Sequence, residues 1–218
     1  MYEVKKMNES NVNLQPIKEF FTKKLHTFGT TPKGVDYHSQ TAMDTRFEQL
    51  LKIKKHNASF SLIDFGCGYG ALADYLLRMG IDCEYFGYDM VTEMISSAQA
   101  LYHGHKKFHF TSVLSELPNC DYVVESGIFN MRIGNSFEDW TNYVTQTLHQ
   151  FDQLSLKGFA FNLLTSYSDK EYMDARPDLY YADACFFFDF CKRNFSRNVA
   201  LLHDYELYDF TIHVRKEE

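Results

Sequence analysis

A glycine run that directly follows an apolar stretch limits what this chain can fold into. Residues 62–70 read LIDFGCGYG, with glycines at positions 66, 68 and 70. The stretch before the run, SFSLIDF, has the length and apolar content of a buried strand, and the stretch after it, YGALADYLLRMG, has apolar residues at helical spacing. This order is typical of the first strand-to-helix turn of an α/β sheet, where ligands bind beyond the carboxyl ends of the strands.

Strand-type and helix-type runs alternate through much of the remaining chain. Apolar runs of strand length begin near residues 83, 108, 121 and 158, and helical patterns separate most of them. The alternation predicts an α/β fold, with a parallel sheet that helices cover on both faces. The last two strand-type runs, NVALLHDY and LYDFTIHVRK, have a short connection, so we expect them to pair antiparallel at one edge.

The charge and the cysteine pattern argue against several function classes. The net charge is -7 and no long basic run is present, so we expect neither nucleic-acid binding nor binding to an anionic membrane. The five cysteines are scattered without CxxC spacing, which indicates neither a zinc site nor a disulfide framework. Without an apolar signal core or a membrane-length apolar run, we expect a cytoplasmic protein with reduced thiols.

Two aspartates accompany the glycine run. Asp64 ends the first predicted strand and Asp89 ends the second, where a carboxylate can accept hydrogen bonds from both hydroxyls of a ribose. The glycine spacing differs from the GxGxxG of dinucleotide sites, and no GK[ST] run indicates a P-loop. The pattern favours an adenosine-type cofactor. Two other interpretations stay open, in which the glycines form only a tight turn and Asp89 only caps a helix.

Three segments resemble the class I S-adenosylmethionine-dependent methyltransferases of the small-molecule type. DFGCGYG at residues 64–70 resembles the first motif, YFGYDMVTEMI at residues 85–95 the second, and DYVVESGIFN at residues 121–130 the fourth-strand motif. The resemblance implies a doubly wound, Rossmann-like seven-stranded sheet, mostly parallel with an antiparallel C-terminal hairpin. It also implies S-adenosyl-L-methionine as the cofactor, S-adenosyl-L-homocysteine as the product, and no metal.

The same resemblance implies which residues bind the cofactor. Asp64 and the backbone at Gly66 and Cys67 would meet the methionyl amino group, Asp89 the ribose and Met90 the adenine. Ser112 stands where many members carry an acid that meets the adenine amino group, which is a departure from the family pattern. The full cofactor-binding set is Asp64, Gly66, Cys67, Gly68, Gly70, Asp89, Met90, Ser112, Glu125 and Arg46.

The acceptor side is assigned from residues near the expected position of the methyl group. His203 could act as a general base, although a strand-end histidine is also typical of a purely structural role. The catalytic candidates are His203, Asn130 and Tyr205, and the substrate-binding candidates are Tyr37, Gln40, Ser126, Arg176 and Tyr180, with Tyr172 and Tyr181 beside them. Arg176 could anchor an anionic substrate, and Arg46 could pair with the cofactor carboxylate or form a surface salt bridge.

These observations lead to a prediction of domains and function. We expect an N-terminal helical cap over the active site at residues 1–57, and a methyltransferase domain at residues 58–218 with a substrate-pocket insertion near residues 165–195. The predicted reaction is methyl transfer to a small-molecule acceptor, at a hydroxyl group, with an anionic or sugar-type metabolite as one acceptor class. Alternatives are a nucleic-acid or protein methyltransferase and a non-catalytic cofactor-binding protein; a homodimer is compatible with the sequence.

Overall fold

Seven strands form one mixed sheet in the computed structural model, which describes residues 12–54 and 59–217. The strands are β1 (Phe60–Phe65), β2 (Cys83–Tyr88), β3 (Phe108–Thr111), β4 (Cys120–Glu125), β5 (Ser155–Leu164), β6 (Asn198–Leu202) and β7 (Asp209–Arg215). Their order is β3-β2-β1-β4-β5-β7-β6. β1 to β5 run parallel, and β7 pairs antiparallel with both β5 and β6. The predicted sheet, with its antiparallel C-terminal hairpin, is therefore confirmed.

Helices cover both faces of this sheet. They are α1 (Gln15–Phe28), α2 (Gln40–Leu51), α3 (Ala71–Arg78), α4 (Thr92–Leu101), α5 (Phe137–Leu154), α6 (Lys170–Ala175) and α7 (Ala184–Asn194). Successive strand residues point to opposite faces. Ile63 accordingly packs in one apolar cluster with α5 and α7, whereas Leu62 packs in a second cluster with α2, α3 and α4. None of the helices in the described ranges has the length and the apolar content that crossing a membrane requires.

The chain order creates a crevice at the carboxyl edge of the sheet. β1 lies between β2 and β4, and Phe65 at its end is in register with Tyr88 on one side and Glu125 on the other. The connections from these two neighbours leave in opposite directions, which makes this edge the usual ligand position of an open α/β sheet. α1 contacts the clusters on both faces of the sheet, because Ile17 packs in one cluster and Leu25 in the other.

Several predicted boundaries are wrong. β6 ends at Leu202 and β7 begins at Asp209, so residues 203–208 form a loop, although the sequence predicted strands through most of them. β5 begins at Ser155, directly after α5, because its first residues pair with β4 at Cys120. The predicted boundary between residues 57 and 58 falls within 55–58, outside the described residues, as do residues 1–11 of the predicted cap. The division into a cap and a domain stays a prediction.

Candidate functional site

A cavity of about 420 Å³ lies at the carboxyl ends of β1, β2 and β4. Its volume is within the range that small-molecule sites occupy. The strand ends and their loops form one side, and α1, α2 and the segment at residues 35–37 form the other. The residues that line it from the strand side include Asp64, Phe65, Gly66, Cys67, Gly68, Tyr88, Asp89, Met90, Ser126, Gly127, Ile128 and Asn130.

Two glycines allow the loop after β1 to pack closely against Ile128 and Val35. Gly66 has φ +86°, and a Cβ there would lie 2.0 Å from Cγ2 of Ile128. Gly68 has φ +54°, and a Cβ there would lie 2.9 Å from Cγ1 of Val35. Larger residues are strained at positive φ, and here they would also collide with the loop after β4 or with the residues that cover the cavity. Glycine is therefore required at both positions.

The hydrogen bonds of this loop define what it can offer to a ligand. The backbone N–H groups of Gly66 and Cys67 both donate to the carbonyl oxygen of Tyr88, at 2.7 and 2.9 Å. Because these donors are already used, a ligand would meet this part of the loop through backbone carbonyl oxygens and the neighbouring Asp64 carboxyl. Such a set of acceptors suits a cationic group better than a phosphate.

Asp64 brings a buried carboxyl to the cavity. Its side chain is 3% exposed, and Oδ2 accepts a 2.6 Å hydrogen bond from the Tyr85 hydroxyl. Burial raises the pKa of Asp64 from 3.8 to about 7, although the bond from Tyr85 opposes the shift. A positively charged ligand group beside this carboxyl would supply the counter-charge that the cavity lacks there.

Asp89 reaches the cavity from the end of β2 and also organises the backbone. Its Oδ2 accepts from the Gly68 N–H at 2.9 Å, and its Oδ1 accepts from the Val91 N–H at 2.8 Å. Burial raises the pKa of Asp89 from 3.8 to about 6, and these two bonds oppose the shift. Asp89 therefore has a structural role, but it is not the helix cap that the sequence left open, because Val91 is the N-cap of α4. Because it also lines the cavity, further lone pairs of the same oxygens can accept ligand hydroxyls.

Tyr37 and Arg46 line the cavity from the covering side. The Tyr37 hydroxyl donates to the Ser126 carbonyl oxygen at 2.9 Å and lies 2.6 Å from Ser126 Oγ. The Arg46 guanidinium lies 5.0 Å from the centre of the Tyr37 ring, and its Nη2 is 2.5 Å from Oδ2 of the fully buried Asp209. Arg46 therefore forms a buried pair rather than the surface salt bridge that the sequence left open.

Asn130, a predicted catalytic residue, and Arg176, a predicted substrate-binding residue, also line the cavity. Asn130 Oδ1 accepts from the Leu164 N–H at 3.0 Å, which joins the loop after β4 to the end of β5. The Arg176 guanidinium donates to both carboxylate oxygens of Asp178, at 3.0 and 2.9 Å. Tyr172 of α6 lies beside Arg176 at the same end of the cavity.

The structure places the remaining acceptor-side candidates away from the cavity lining. His203 is exposed in the loop after β6, with its ring beside Tyr167 and Phe210. The Tyr205 hydroxyl lies 2.8 Å from Thr211 Oγ1.

Two further candidates, Gln40 and Tyr180, also lie outside the lining. Gln40 is exposed and donates to Asp44 on its own helix at 2.8 Å. Tyr180 is 1% exposed and its hydroxyl lies 2.7 Å from Thr141 Oγ1 of α5, so its ring is part of the core.

Three cofactor candidates are also outside the lining, and two of them hold the loops in place. Gly70 precedes α3, where its carbonyl oxygen accepts from the Tyr102 hydroxyl at 2.7 Å. Glu125 is fully buried, and its Oε1 accepts from the Ile128 N–H at 2.6 Å. Burial raises the pKa of Glu125 well above its usual range, although the backbone N–H groups that it accepts from oppose the shift. Ser112 is half-buried after β3.

The sequence predicted a cap over the site and Tyr37 within it, but it missed other side chains that cover the cavity. Leu14, Ile17 and Phe21 reach it from α1 and the residue before that helix, and Asp36 reaches it from a left-handed conformation with φ +61°. The apolar face of α1 was visible as a helical pattern, but no local signal shows which surface such a face covers. Within residues 12–54 and 59–217, no group of three or more His, Cys, Asp or Glu could hold a metal ion.

Comparison with known proteins gives consistent matches. A family model described as a methyltransferase domain matches residues 63–130. A Mycobacterium tuberculosis protein that carries the name of a methyltransferase is 48% identical over 157 residues, which are 72% of this chain and 93% of that protein.

Solved structures share the fold at low identity. The N-methyltransferase NodS from Bradyrhizobium japonicum, in complex with S-adenosyl-L-homocysteine, has a TM-score of 0.64 at 11% identity, covering 92% of this chain and 98% of that one. Magnesium protoporphyrin IX methyltransferase from Synechocystis, with bound SAH, has a TM-score of 0.58 at 14% identity, covering 82% and 83%.

Proposed function

Because the chain belongs to the class I S-adenosylmethionine-dependent methyltransferases, we propose that it transfers the cofactor's methyl group to a hydroxyl group of a small molecule held in the cavity. The observation that carries the proposal is the covered cavity itself. Its volume of about 420 Å³ must hold the cofactor as well as the acceptor, and α1, α2 and α6 enclose it on the side away from the sheet. A macromolecule could reach such a cavity only with a single extended group.

The residues of the cavity fit the cofactor. Asp64 offers a buried carboxyl to the cationic methionyl end, and Asp89 offers carboxylate lone pairs to the ribose hydroxyls. Gly66 and Gly68 leave the loop without side chains, so the cofactor can lie close to the backbone. The N–H groups of Gly66 and Cys67 are already bonded to Tyr88, which suits a ligand without phosphate.

When bound, S-adenosylmethionine supplies a methyl group that is electrophilic because it is attached to a sulfonium. The chain's own contribution is to orient the acceptor and to exclude water. Tyr37 stays protonated because burial raises its pKa, and it holds the cover against the loop after β4 through Ser126. We assign to Asn130, which lines the cavity, a hydrogen bond to the acceptor.

We do not assign the base role to His203. Its imidazole is exposed in the loop after β6 and is outside the cavity lining. No histidine lines the cavity in the described part of the chain, so the proposal rests on alignment and not on an imidazole base.

Calorimetry and product analysis test the proposal in two stages. The protein should bind S-adenosylhomocysteine and should bind neither NAD nor ATP. Incubation with methyl-labelled S-adenosylmethionine and a panel of small alcohols, phenols, amines, peptides and RNA should then yield methyl ethers of small molecules. Methylation of only amines, peptides or RNA would overturn the hydroxyl assignment, and binding of NAD without S-adenosylhomocysteine would overturn the cofactor assignment.

A further inference from the structure

The cavity has an end that the cofactor-binding residues do not reach. Its walls come from residues 14–36, the loop after β4, the end of β5 and the segment at residues 165–183, and we call it the acceptor end. It is lined by Leu14, Ile17, Phe21, Asp36, Met131, Leu164, Tyr172, Arg176 and Leu179. This assignment rests on the proposed function, since it takes the opposite end as the cofactor site.

Most of the acceptor end is apolar. Six of its side chains are aliphatic, thioether or phenyl groups, and Met131, Leu164 and Leu179 pack together as one cluster with Phe21 beside them. An acceptor that fills this space gains free energy by removing apolar surface from water. The acceptor should therefore carry a hydrocarbon or aromatic part next to its reacting group.

The charged groups at this end form a row of ion pairs that runs from Lys24 through Asp36 and Arg176 to Asp178. Lys24 Nζ lies 2.7 Å from Asp36 Oδ1, and Asp36 Oδ2 lies 3.9 Å from Arg176 Nη2. The other side of the Arg176 guanidinium is bonded to both oxygens of Asp178. The two cations and the two carboxylates balance, so the positive charge of Arg176 is offset by Asp36 and Asp178.

Arg46, the other basic residue that lines the cavity, also has a carboxylate partner. Its guanidinium is paired with the buried Asp209. Among the described lining residues, Arg46 and Arg176 are the basic ones, against the acidic Asp36, Asp64 and Asp89. An anionic acceptor would lose hydration on entering this cavity and would meet no cation that is free of a carboxylate.

We propose that Asp178 and Asp36, by neutralising Arg176, act as a charge filter that selects uncharged or cationic acceptors and excludes anionic ones. This differs from the anionic anchor that the sequence suggested for Arg176. Asp36 belongs to the residues between α1 and α2, and Arg176 and Asp178 belong to the segment at residues 165–183. The filter therefore forms only where these two segments contact each other.

Three phenols of similar size that differ in side-chain charge test the filter. They are tyrosol, which is neutral, tyramine, which is cationic, and 4-hydroxyphenylacetate, which is anionic. Their affinities would be measured by ligand-observed NMR on the protein saturated with S-adenosylhomocysteine. We expect tyrosol and tyramine to bind about tenfold or more tightly than the acid. An acid that binds as tightly as tyrosol, or failure of both tyrosol and tyramine to bind, would overturn the proposal.

Asp178→Asn tests the mechanism of the filter, with Asp174→Asn as its matched control. Asp174 is exposed on α6 and outside the cavity lining, so its loss removes the same charge from the same segment. We expect Asp178→Asn to tighten binding of the acid about fivefold or more by freeing Arg176, and Asp174→Asn to leave it unchanged. Equal effects of the two variants would show that general surface charge, not the filter, is responsible.

Saturation with S-adenosylhomocysteine separates the two levels of the argument. If the wild type does not bind it, the proposed function fails. If the wild type binds it and the acid binds as tightly as tyrosol, only the charge filter fails.

Discussion

Binding of S-adenosylhomocysteine should depend on pH through Asp64. In the ligand-free protein this carboxyl has a pKa of about 7, because burial disfavours its charged form. The ligand's α-ammonium favours the charged carboxylate, so binding should lower the Asp64 pKa and release a proton. The sign follows directly: affinity is greatest above pH 7 and falls as the pH drops below it.

The magnitude can be worked from this shift. Each pH unit below the free-state pKa costs about tenfold in affinity, or about 1.4 kcal/mol, as long as the bound-state pKa is lower still. Between pH 7.5 and pH 5.5 we expect a loss of about 30-fold, close to 2 kcal/mol. The ligand's amino group stays largely protonated in this range. Asp89, with a pKa of about 6, adds a smaller loss at the acidic end.

Calorimetry in two buffers of different ionisation enthalpy measures both the affinity and the proton release. Asp64→Asn should bind more weakly at pH 7.5 and should lose most of the pH dependence. Asp74→Asn is the control, because Asp74 is exposed on α3 and outside the cavity lining. A wild-type affinity that is flat between pH 5.5 and pH 7.5, or an undiminished slope in Asp64→Asn, would refute the reasoning.

The raised pKa of Asp64 also makes the stability of the ligand-free protein depend on pH. The sign is opposite to that of ligand affinity, because low pH favours the folded protein. A carboxyl whose folded-state pKa is raised from 3.8 to about 7 binds its proton more tightly when folded. Its contribution to stability is therefore fully present below pH 3.8 and is lost as the pH rises through about 7.

Three further variants test the geometry of the site. Gly66→Ala should lower the free energy of unfolding by about 1–3 kcal/mol more than Gly104→Ala does. Gly104 is the matched control, because it has nearly the same φ but nothing lies within 4 Å of the added Cβ. Equal losses of stability in urea unfolding would contradict the predicted collision at Gly66. Arg46→Met should lower the free energy of unfolding by about 3–5 kcal/mol, because it leaves the Asp209 carboxylate buried without a counter-charge. The double variant Arg46→Met/Asp209→Leu should recover most of that stability. An Arg46→Met protein as stable as the wild type would exclude this account. His203→Ala should keep wild-type methyl transfer across the pH range in which imidazole titrates, and a lost alkaline or acidic limb of the rate profile would show that the exposed ring takes part.

The cofactor side of the site could be predicted because its signals are local. Asp64, Gly66 and Gly68 lie within five consecutive positions, and one strand-to-helix turn brings all of them to the cavity. Asp89 ends the neighbouring strand, and parallel strands place their carboxyl ends at one edge. The backbone bonds that Asp89 accepts show that an acid there serves the fold.

The acceptor side was predicted less completely because strand ends depend on pairing partners. β6 ends where its pairing with β7 ends, at Leu202 opposite Thr211, and the chain then enters a loop. His203 and Tyr205 follow that end and lie in the loop, outside the cavity lining. Local propensity for strand continues through these residues, but it does not decide how far two strands stay paired.

From the sequence alone follow the α/β fold, the glycine loop and the two carboxylates that suit a cationic nucleoside, because each depends on residues close together in the chain. Only the tertiary structure decides how the cavity is covered and which charges remain free. The contacts that settle this join distant residues, as Tyr37 to Ser126 and Arg46 to Asp209 do, 89 and 163 positions apart. Such pairs form because packing brings their elements together, and no periodicity or motif in either segment specifies its partner.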